Sequence, residues 1–217
     1  DLEVLYGWAL NPAYNESKQQ PGLRSQSSQT QYLERVFPVF MDDKPIPESY
    51  WVLPGQFLAG GYPGLRFDEF GTRRRLTAFL NAGFDTFIDL TCEGERPAYL
   101  PLLQEEARLY EHPLHHRRFS FPDFNIPTPA MMVATLDAID AALGEGRKVY
   151  LHCVGGIGRT GTTVGCWFIR HAMKPSDALL QLQELYQTAE QSLFSPRSPE
   201  SDQQVRFILD WEEHGLA

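Results

Sequence analysis

Apolar residues recur along this chain at two spacings, and the spacings predict an ordered series of strands and helices. Short apolar or β-branched runs predict a hairpin turned at Pro54-Gly55 and later strands at residues 86–91, 117–121 and 149–151. Apolar residues three or four positions apart predict helices between these strands. They are predicted at residues 68–83, 100–109 and 129–143, and from residue 162 onward.

Residue types at the ends of the helical stretches support these boundaries. Asp68 and Thr128 precede two of them, as N-capping residues do, and Gly83 follows the first, as a C-terminal glycine does. Two more helices are predicted near the end of the chain, one capped by Ser176 and one opening at residues 198–200. The last helix is predicted to place four side chains inward: Val205, Ile208, Leu209 and Trp211.

The alternation of strands and helices is typical of an α/β fold, here a central, mostly parallel sheet with helices on both faces. Such sheets bind ligands at the carboxyl ends of their strands. Residues 45–217 are predicted to form this domain. Residues 1–44 start with an apolar and aromatic segment and continue into a tract rich in Gln, Ser, Pro and Gly, which predicts an N-terminal arm.

Composition narrows the classes of partner. The net charge of −9 and the isoelectric point near 5.1 disfavour nucleic acid and anionic membranes, since both attract basic surfaces. No run of 18 apolar residues is present, so no membrane span is predicted. Three cysteines do not make a disulfide framework, which favours a reducing, cytoplasmic setting. The oligomeric state is left open.

A glycine-rich turn joins the strand at residues 149–151 to the helix that follows it. Its glycines let successive N–H groups face one point, toward which the positive end of the helix dipole is also directed. Arg159 adds a planar fork of donors suited to two phosphate oxygens. The turn therefore predicts an anion site, and six residues are expected to bind phosphate: Val154, Gly155, Gly156, Ile157, Gly158 and Arg159.

Cys153 begins this turn and is the predicted nucleophile. A helix N-terminus and a nearby guanidinium favour the thiolate form of a cysteine. A thiolate at the base of a phosphate site suggests attack on phosphorus and a phosphocysteine intermediate. Thr160 is predicted to donate a hydrogen bond to the sulfur as it leaves that intermediate. The alternative is a buried structural cysteine beside an ordinary loop.

The run His152-Cys153-x5-Arg159-Thr160 resembles the signature of the cysteine-dependent protein tyrosine and dual-specificity phosphatase superfamily, and most closely its dual-specificity group. The resemblance implies a phosphatase fold over residues 45–217 and hydrolysis of a phosphorylated protein or small molecule. It implies no metal and no cofactor. It further implies that His152 orders the phosphate-binding turn, although a core histidine is the alternative.

Two further roles follow from the resemblance. Asp123, in a Pro122-Asp123 segment after a predicted strand, is expected to protonate the leaving group and then to act as a base toward water. The alternative is a turn aspartate that bonds its own backbone. Family members hold the attacking water with a glutamine near the C-terminus, so Gln203 or Gln204 is a candidate, with a surface glutamine as the alternative.

Other polar residues near the predicted strand ends have less defined roles. Asp89 and the stretch 93–96 are expected near the turn or Arg159. Cys92 is a candidate for a reversible disulfide with Cys153 that protects the nucleophile, or else a core residue. A cluster of basic residues is interpreted as a strand edge rather than a metal site, with an arginine near the substrate: His112, His115, His116, Arg117 and Arg118.

The substrate is predicted from the lack of lysine between Cys153 and Arg159. This lack favours a phosphoprotein, with phosphotyrosine preferred and phosphoserine or phosphothreonine also allowed. One alternative is an inositol phosphate, a phosphoinositide or another non-protein phosphate, held by a basic rim of Arg117, Arg118 and residues 73–75. Another is a catalytically silent module that binds phosphorylated partners.

Overall fold

A five-stranded sheet lies at the centre of the computed structural model, which describes residues 44–111 and 113–213. The strands are β1 (Ser49–Leu53), β2 (Phe57–Gly60), β3 (Thr86–Asp89), β4 (His115–Arg118) and β5 (Val149–His152). Their spatial order is β1-β2-β5-β3-β4. β1 and β2 form the antiparallel hairpin, and the other three pairings are parallel. The predicted α/β class is confirmed.

Helices cover both faces of this sheet. On one face lie α1 (Glu69–Asn81) and α2 (Leu100–Tyr110). On the other lie α3 (Pro129–Gly144), α4 (Gly158–Arg170), α5 (Pro175–Tyr186) and α6 (Asp202–Leu209). Two predicted caps are confirmed: Asp68 accepts from Gly71 N–H at 2.7 Å, and Thr128 accepts from Met131 N–H at 3.2 Å.

The core continues on both sides of the sheet because neighbouring strand residues point to opposite faces. Tyr150 of β5 joins Phe79 of α1 and Leu103 of α2 in one buried cluster. On the opposite face, Phe57 of β2 contacts Trp167 of α4, with ring centroids 5.4 Å apart. β5 therefore lies in the middle of the sheet, packed from both sides, and its carboxyl end is held rigidly.

The position of β4 differs from its prediction at residues 117–121. The strand pairs in register with β3 over His115–Arg118. Its side chains are largely polar and exposed because it is an edge strand, so the apolar run that predicted a strand lies after it.

The starts of the last two helices also differ. Pro175 occupies the first turn of α5 and Lys174 is its N-cap, so Ser176 is not the cap. α6 starts at Asp202, because Ser201 and Gln204 form a reciprocal capping box, rather than at residues 198–200. Leu209 is 43% exposed and does not point inward. Nearly all of the predicted arm, residues 1–43, lies outside the described residues.

Candidate active site

The predicted phosphate-binding turn lies between the end of β5 and the start of α4. Cys153 is only 2% exposed, and its Sγ accepts a hydrogen bond from Gly156 N–H at 3.3 Å. Tyr62 N–H donates to the Val154 carbonyl at 2.9 Å, which fastens the turn to the residues after β2. The sulfur therefore lies at the base of a turn whose own backbone donates to it.

Gly156 is the residue for which this turn requires glycine. Its φ is +72°, and a Cβ there would overlap the Gly60 carbonyl group and lie 2.5 Å from Gly61 N. We expect Gly156→Ala to lower the free energy of unfolding by roughly 2 kcal/mol or more and to displace the N–H that reaches Cys153. Chemical denaturation and phosphatase kinetics measure the two effects.

Gly146→Ala is the matched control for this substitution. Gly146 has a similar φ of +75°, and nothing lies within 4 Å of a Cβ there. Gly146→Ala should therefore lower the free energy of unfolding by only about 1 kcal/mol, through backbone strain, and leave the phosphatase kinetics unchanged. Equal losses of stability in the two variants would contradict the close approach of Gly156 to β2.

Arg159 is fully buried, and the Glu95 carboxylate binds its guanidinium. Its two terminal nitrogens donate to the Glu95 carboxylate at 2.8 and 2.5 Å, and one of them also donates to the carbonyls of Leu90 and Phe121. Burial alone would lower the pKa of Arg159, but the bond to Glu95 raises it above its ordinary value. The same bond lowers the pKa of Glu95. The guanidinium is thus a fixed positive charge.

One donor of Arg159 remains open. Its Nε is buried and has no hydrogen-bond partner among the described residues. A buried donor without a partner costs free energy, so such groups commonly serve a ligand. An anion above Cys153 would satisfy it.

Asp123 reaches the same guanidinium, with Oδ1 lying 3.1 Å from a terminal nitrogen of Arg159. Contacts to α6 hold its loop, since Ser201 donates to the Phe124 carbonyl at 3.3 Å and Gln204 donates to the Asn125 carbonyl at 3.1 Å. The carboxylate is 44% exposed, so water and substrate can approach it. The structure therefore brings Asp123 into contact with Arg159 of the turn that begins at Cys153, although 30 residues separate Asp123 from Cys153 in the sequence.

His152 is the last residue of β5, directly before Cys153, and is fully buried. Nδ1 lies 3.3 Å from the Cys153 carbonyl, which can only accept, so Nδ1 carries the proton. Nε2 of the neutral ring then accepts from the Tyr99 hydroxyl at 2.8 Å. Burial lowers the pKa of His152 to about 4, so the ring is neutral near pH 7.

This buried neutral histidine predicts a pH dependence of stability. Because the folded pKa lies below the unfolded value near 6.5, the contribution is complete above pH 6.5 and is lost as the pH falls toward 4. We expect the free energy of unfolding to drop by about 3 kcal/mol over this range. Urea titrations at several pH values measure the drop.

His152→Gln should flatten this dependence, while the exposed His115→Gln should preserve it. An unchanged profile in His152→Gln would assign the acid sensitivity to other groups.

Comparisons with known proteins agree with this geometry. A family model described as polymorphic toxin system, DSP-PTPase phosphatase, matches residues 72–173. The dual specificity protein phosphatase CDC14B of Mus musculus is 25% identical over 127 residues, which are 56% of this chain and 24% of the mouse protein. Together these matches support the cysteine-dependent protein tyrosine and dual-specificity phosphatase superfamily for this chain. The chain spans about a quarter of the length of that relative.

Solved structures of phosphatases share the fold of this chain. Tk-PTP in its active form superposes with a TM-score of 0.58 at 22% identity, covering 76% of this chain and 97% of Tk-PTP. PTPMT1 in complex with PI(5)P has a TM-score of 0.56 at 17% identity, covering 75% of this chain and 93% of PTPMT1. At these identities the likeness concerns the fold alone.

The other residues predicted for the site differ in their burial and contacts. Thr160 is buried and donates to the Gly60 carbonyl at 3.3 Å in this structure, so its bond to the leaving sulfur stays a prediction. Gln204 is buried against Gly158, whereas Gln203 is exposed on α6. Cys92 is a free, half-buried thiol after β3, and its disulfide with Cys153 also stays a prediction.

The two acidic residues predicted near the ends of the strands, Asp89 and Glu95, bind different arginines. Glu95 binds Arg159, which was one of the arrangements left open by the sequence. Asp89 instead accepts two hydrogen bonds from Arg118, at 3.0 and 2.8 Å, and is close to His116 at 3.7 Å. Arg117 is exposed and lies over the Phe119 ring at 4.9 Å. The basic edge therefore contains one arginine paired with Asp89 and one that faces outward.

Three residues of this site were not singled out by sequence reasoning. One is Tyr99, and another is Glu200, whose carboxylate lies against Gly158 of the turn. Neither carries a local pattern, since tyrosines next to helices and glutamates in loops are common in any protein. Phe124 was expected only as part of the Asp123 segment, and its ring is 60% exposed on the residue directly after Asp123. For Glu95, the only indication in the sequence that it belongs to the site was its position just after a predicted strand.

The helices of residues 44–111 and 113–213 are too short or too polar to span a lipid bilayer. Within the same ranges, no three His, Cys, Asp or Glu side chains are grouped in a way that could hold a metal ion.

Proposed function

We propose that this protein hydrolyses phosphomonoesters through a phosphocysteine intermediate. The observation that carries the proposal is that Arg159, at the end of the turn that begins at Cys153, is held by Glu95 and keeps a buried Nε without a hydrogen-bond partner among the described residues. A fixed guanidinium with an open donor matches the phosphoryl oxygens of a substrate. The amides of residues 154–159 supply the other donors.

The first step transfers the phosphoryl group to sulfur. The Cys153 thiolate attacks phosphorus, the bond to the leaving oxygen breaks, and Asp123 gives that oxygen its proton. Arg159 and the turn amides stabilise the charge on the three equatorial oxygens. His152 keeps the turn in place through the Cys153 carbonyl.

The second step releases phosphate. Water attacks the phosphorus of the phosphocysteine, the P–S bond breaks, and its electron pair returns to Cys153. The proton of the water passes to Asp123, which restores the acid for the next cycle. Thr160 is proposed to donate to the departing sulfur after leaving the Gly60 carbonyl.

We propose phosphotyrosine in proteins as the preferred substrate, with phosphoserine and phosphothreonine as further substrates. Phe124 supports this preference, since it follows Asp123 directly in the loop and its exposed aromatic ring can contact a phenol ring. A protein substrate also agrees with the absence of lysine between Cys153 and Arg159. We further propose that residues 45–217 form the phosphatase domain and that residues 1–44 form an arm before it. The proposed location is the reducing cytoplasm.

The predicted basic rim gives little support to a highly phosphorylated substrate. Arg73 pairs with three glutamates, Arg75 pairs with Glu48, and Arg118 pairs with Asp89. These pairs leave fewer free cations to bind additional phosphate groups. The silent binding module is disfavoured because Asp123 contacts Arg159 in the turn that also carries Cys153, and a module that only binds needs neither a nucleophile nor an acid.

The experiment compares substrates in the presence of reductant and a metal chelator. The protein should hydrolyse p-nitrophenyl phosphate, and phosphotyrosine peptides should be better substrates than phosphoserine peptides or phosphoinositides. Asp123→Asn should slow peptides with poor leaving groups by about 10²-fold or more, and p-nitrophenyl phosphate less. A chelator-sensitive reaction would contradict the mechanism, and preference for the inositide would contradict the substrate.

A further inference from the structure

The segment between β2 and α1 runs from the phosphate-binding turn to the protein surface. Tyr62, near its start, donates its N–H to the Val154 carbonyl at 2.9 Å. Leu65 N–H donates to the Thr72 hydroxyl at 2.8 Å, which fixes the segment against α1. Phe67 is five residues after Tyr62, so their Cα atoms are at most about 19 Å apart. Phe67 is therefore within reach of a peptide whose phosphorylated residue is bound in the turn.

Two phenylalanines are exposed at the start of α1. Phe67 is 91% exposed and Phe70 is 74% exposed, and Asp68, the N-cap of the helix, fixes the backbone between them. The inward side of α1 carries Leu76 and Phe79, which are fully buried, so the core does not use the two exposed rings. Neighbouring apolar groups on a protein surface commonly mark a site of interaction. We call Phe67 and Phe70 the aromatic pair.

Two arginines flank the aromatic pair in the sequence. Arg66 lies over the Phe67 ring, with 5.2 Å between Cζ and the ring centroid. Arg74 is exposed and lies one helical turn after Phe70, on the same side of α1. Within the part of the chain that the structure describes, neither arginine is paired with a carboxylate, and the neighbouring Glu69 is already paired with another arginine of α1. The surface therefore combines two rings with two cations that are available to a ligand.

The chemistry of this surface fits a peptide segment that is apolar and acidic. Aromatic rings bind apolar side chains, and guanidinium groups bind carboxylates. An anionic membrane would face the net charge of −9 that the whole chain carries, which disfavours it. A symmetric contact with a second copy would place arginines beside arginines, which disfavours that partner too. A peptide side chain responds mainly to the local charge, since salt screens charges more than about 10 Å away.

We propose that the aromatic pair, Arg66 and Arg74 bind an apolar and acidic segment of the substrate protein, an inference that rests on the proposed function. An extended peptide advances about 3.3 Å per residue, so a reach of about 19 Å places this segment within roughly six residues of the phosphotyrosine. The surface takes no part in making or breaking bonds. It contributes binding energy that p-nitrophenyl phosphate cannot use, and it thereby selects among phosphotyrosine proteins.

The experiment compares two phosphotyrosine peptides of equal length. One carries a Glu-Leu-Glu segment on each side of the phosphotyrosine, and the other carries serines in place of these segments. The variant with both Phe67→Ser and Phe70→Ser should lower kcat/KM for the first peptide, relative to that for p-nitrophenyl phosphate, by about tenfold to a hundredfold. This loss should come from a higher KM. For the serine peptide the same ratio should change by less than about threefold.

Two further variants complete the design. The variant with Arg66→Ala and Arg74→Ala tests the charged part of the surface, and it replaces the phenylalanine variant if that protein does not fold. It should raise KM for the Glu-Leu-Glu peptide by about threefold to tenfold at low salt and weaken the dependence of KM on salt. The matched control carries Leu109→Ser and Leu180→Ser, which remove exposed leucines from α2 and α5, and should leave the peptide kinetics unchanged. Thermal melting checks the folding of each variant.

The outcomes separate this inference from the proposed function. A wild-type protein with no chelator-resistant turnover, or one that prefers phosphoinositides to phosphotyrosine peptides, overturns the proposed function and this inference with it. If wild type hydrolyses both peptides equally well, or if the phenylalanine variant keeps the wild-type ratio, only this inference is overturned. It is also overturned if the aromatic pair instead serves binding to phosphatidylserine vesicles, measured by co-sedimentation, or dimerisation, measured by analytical ultracentrifugation.

Discussion

Cys153→Ser should abolish hydrolysis of p-nitrophenyl phosphate, with a loss of at least about 10⁴-fold in kcat. The serine hydroxyl is not ionised near neutral pH and is therefore a much weaker nucleophile than a cysteine sulfur. Because Cys153 is buried and the replacement is nearly isosteric, the phosphate-binding turn should persist. Steady-state kinetics measure the loss of kcat. Binding of vanadate or a phosphopeptide to the variant tests whether the phosphate-binding turn persists.

Cys92→Ser is the matched control, since it removes a free, half-buried thiol at the end of a neighbouring strand. In reductant it should keep turnover within about twofold of wild type, because surface or half-buried substitutions away from the reacting atoms cost little. Residual activity above about 1% of wild type in Cys153→Ser would show that sulfur is not the nucleophile. Mild peroxide applied to the wild type would also test the Cys92–Cys153 disulfide by mass spectrometry.

Arg159→Lys should lower kcat/KM by about 10²- to 10³-fold, the range measured when one fixed donor to a transition-state oxyanion is removed. Lysine keeps the charge but loses the fork that binds Glu95 with two nitrogens and leaves Nε for a ligand. The variant should also be less stable by roughly 1–3 kcal/mol, because hydrogen bonds to Glu95 and two carbonyls are incompletely replaced.

Arg117→Lys serves as the control for this change. Arg117 is exposed on β4 and lies over the Phe119 ring, so the substitution keeps charge and alters no buried bond. It should leave kcat/KM within about threefold of wild type. If Arg159→Lys were equally mild, the bidentate contact to phosphate would not be part of the reaction, and simple positive charge would suffice.

The sequence was sufficient to predict the centre of the fold. Buried strands such as β5 are short and largely apolar, and helices such as α1 and α3 begin with side-chain caps. In these segments the local preference of the sequence matches the structure that the fold requires. Prediction failed at β4 because an edge strand buries little and needs no apolar run. It failed at α6 because Ser201 and Gln204 form a cap that competes with the nearby serine and proline at 198–199.

The candidate site divides in the same way. The turn from Cys153 to Arg159 could be predicted from the sequence alone, since the proposed nucleophile, the glycines and the guanidinium lie within seven consecutive residues. The contacts of Glu95 with Arg159, of Tyr99 with His152 and of Glu200 with Gly158 became visible only in the folded chain. These partners come from separate elements, and which side chain reaches a strand end depends on packing and crossover connections that no local pattern contains.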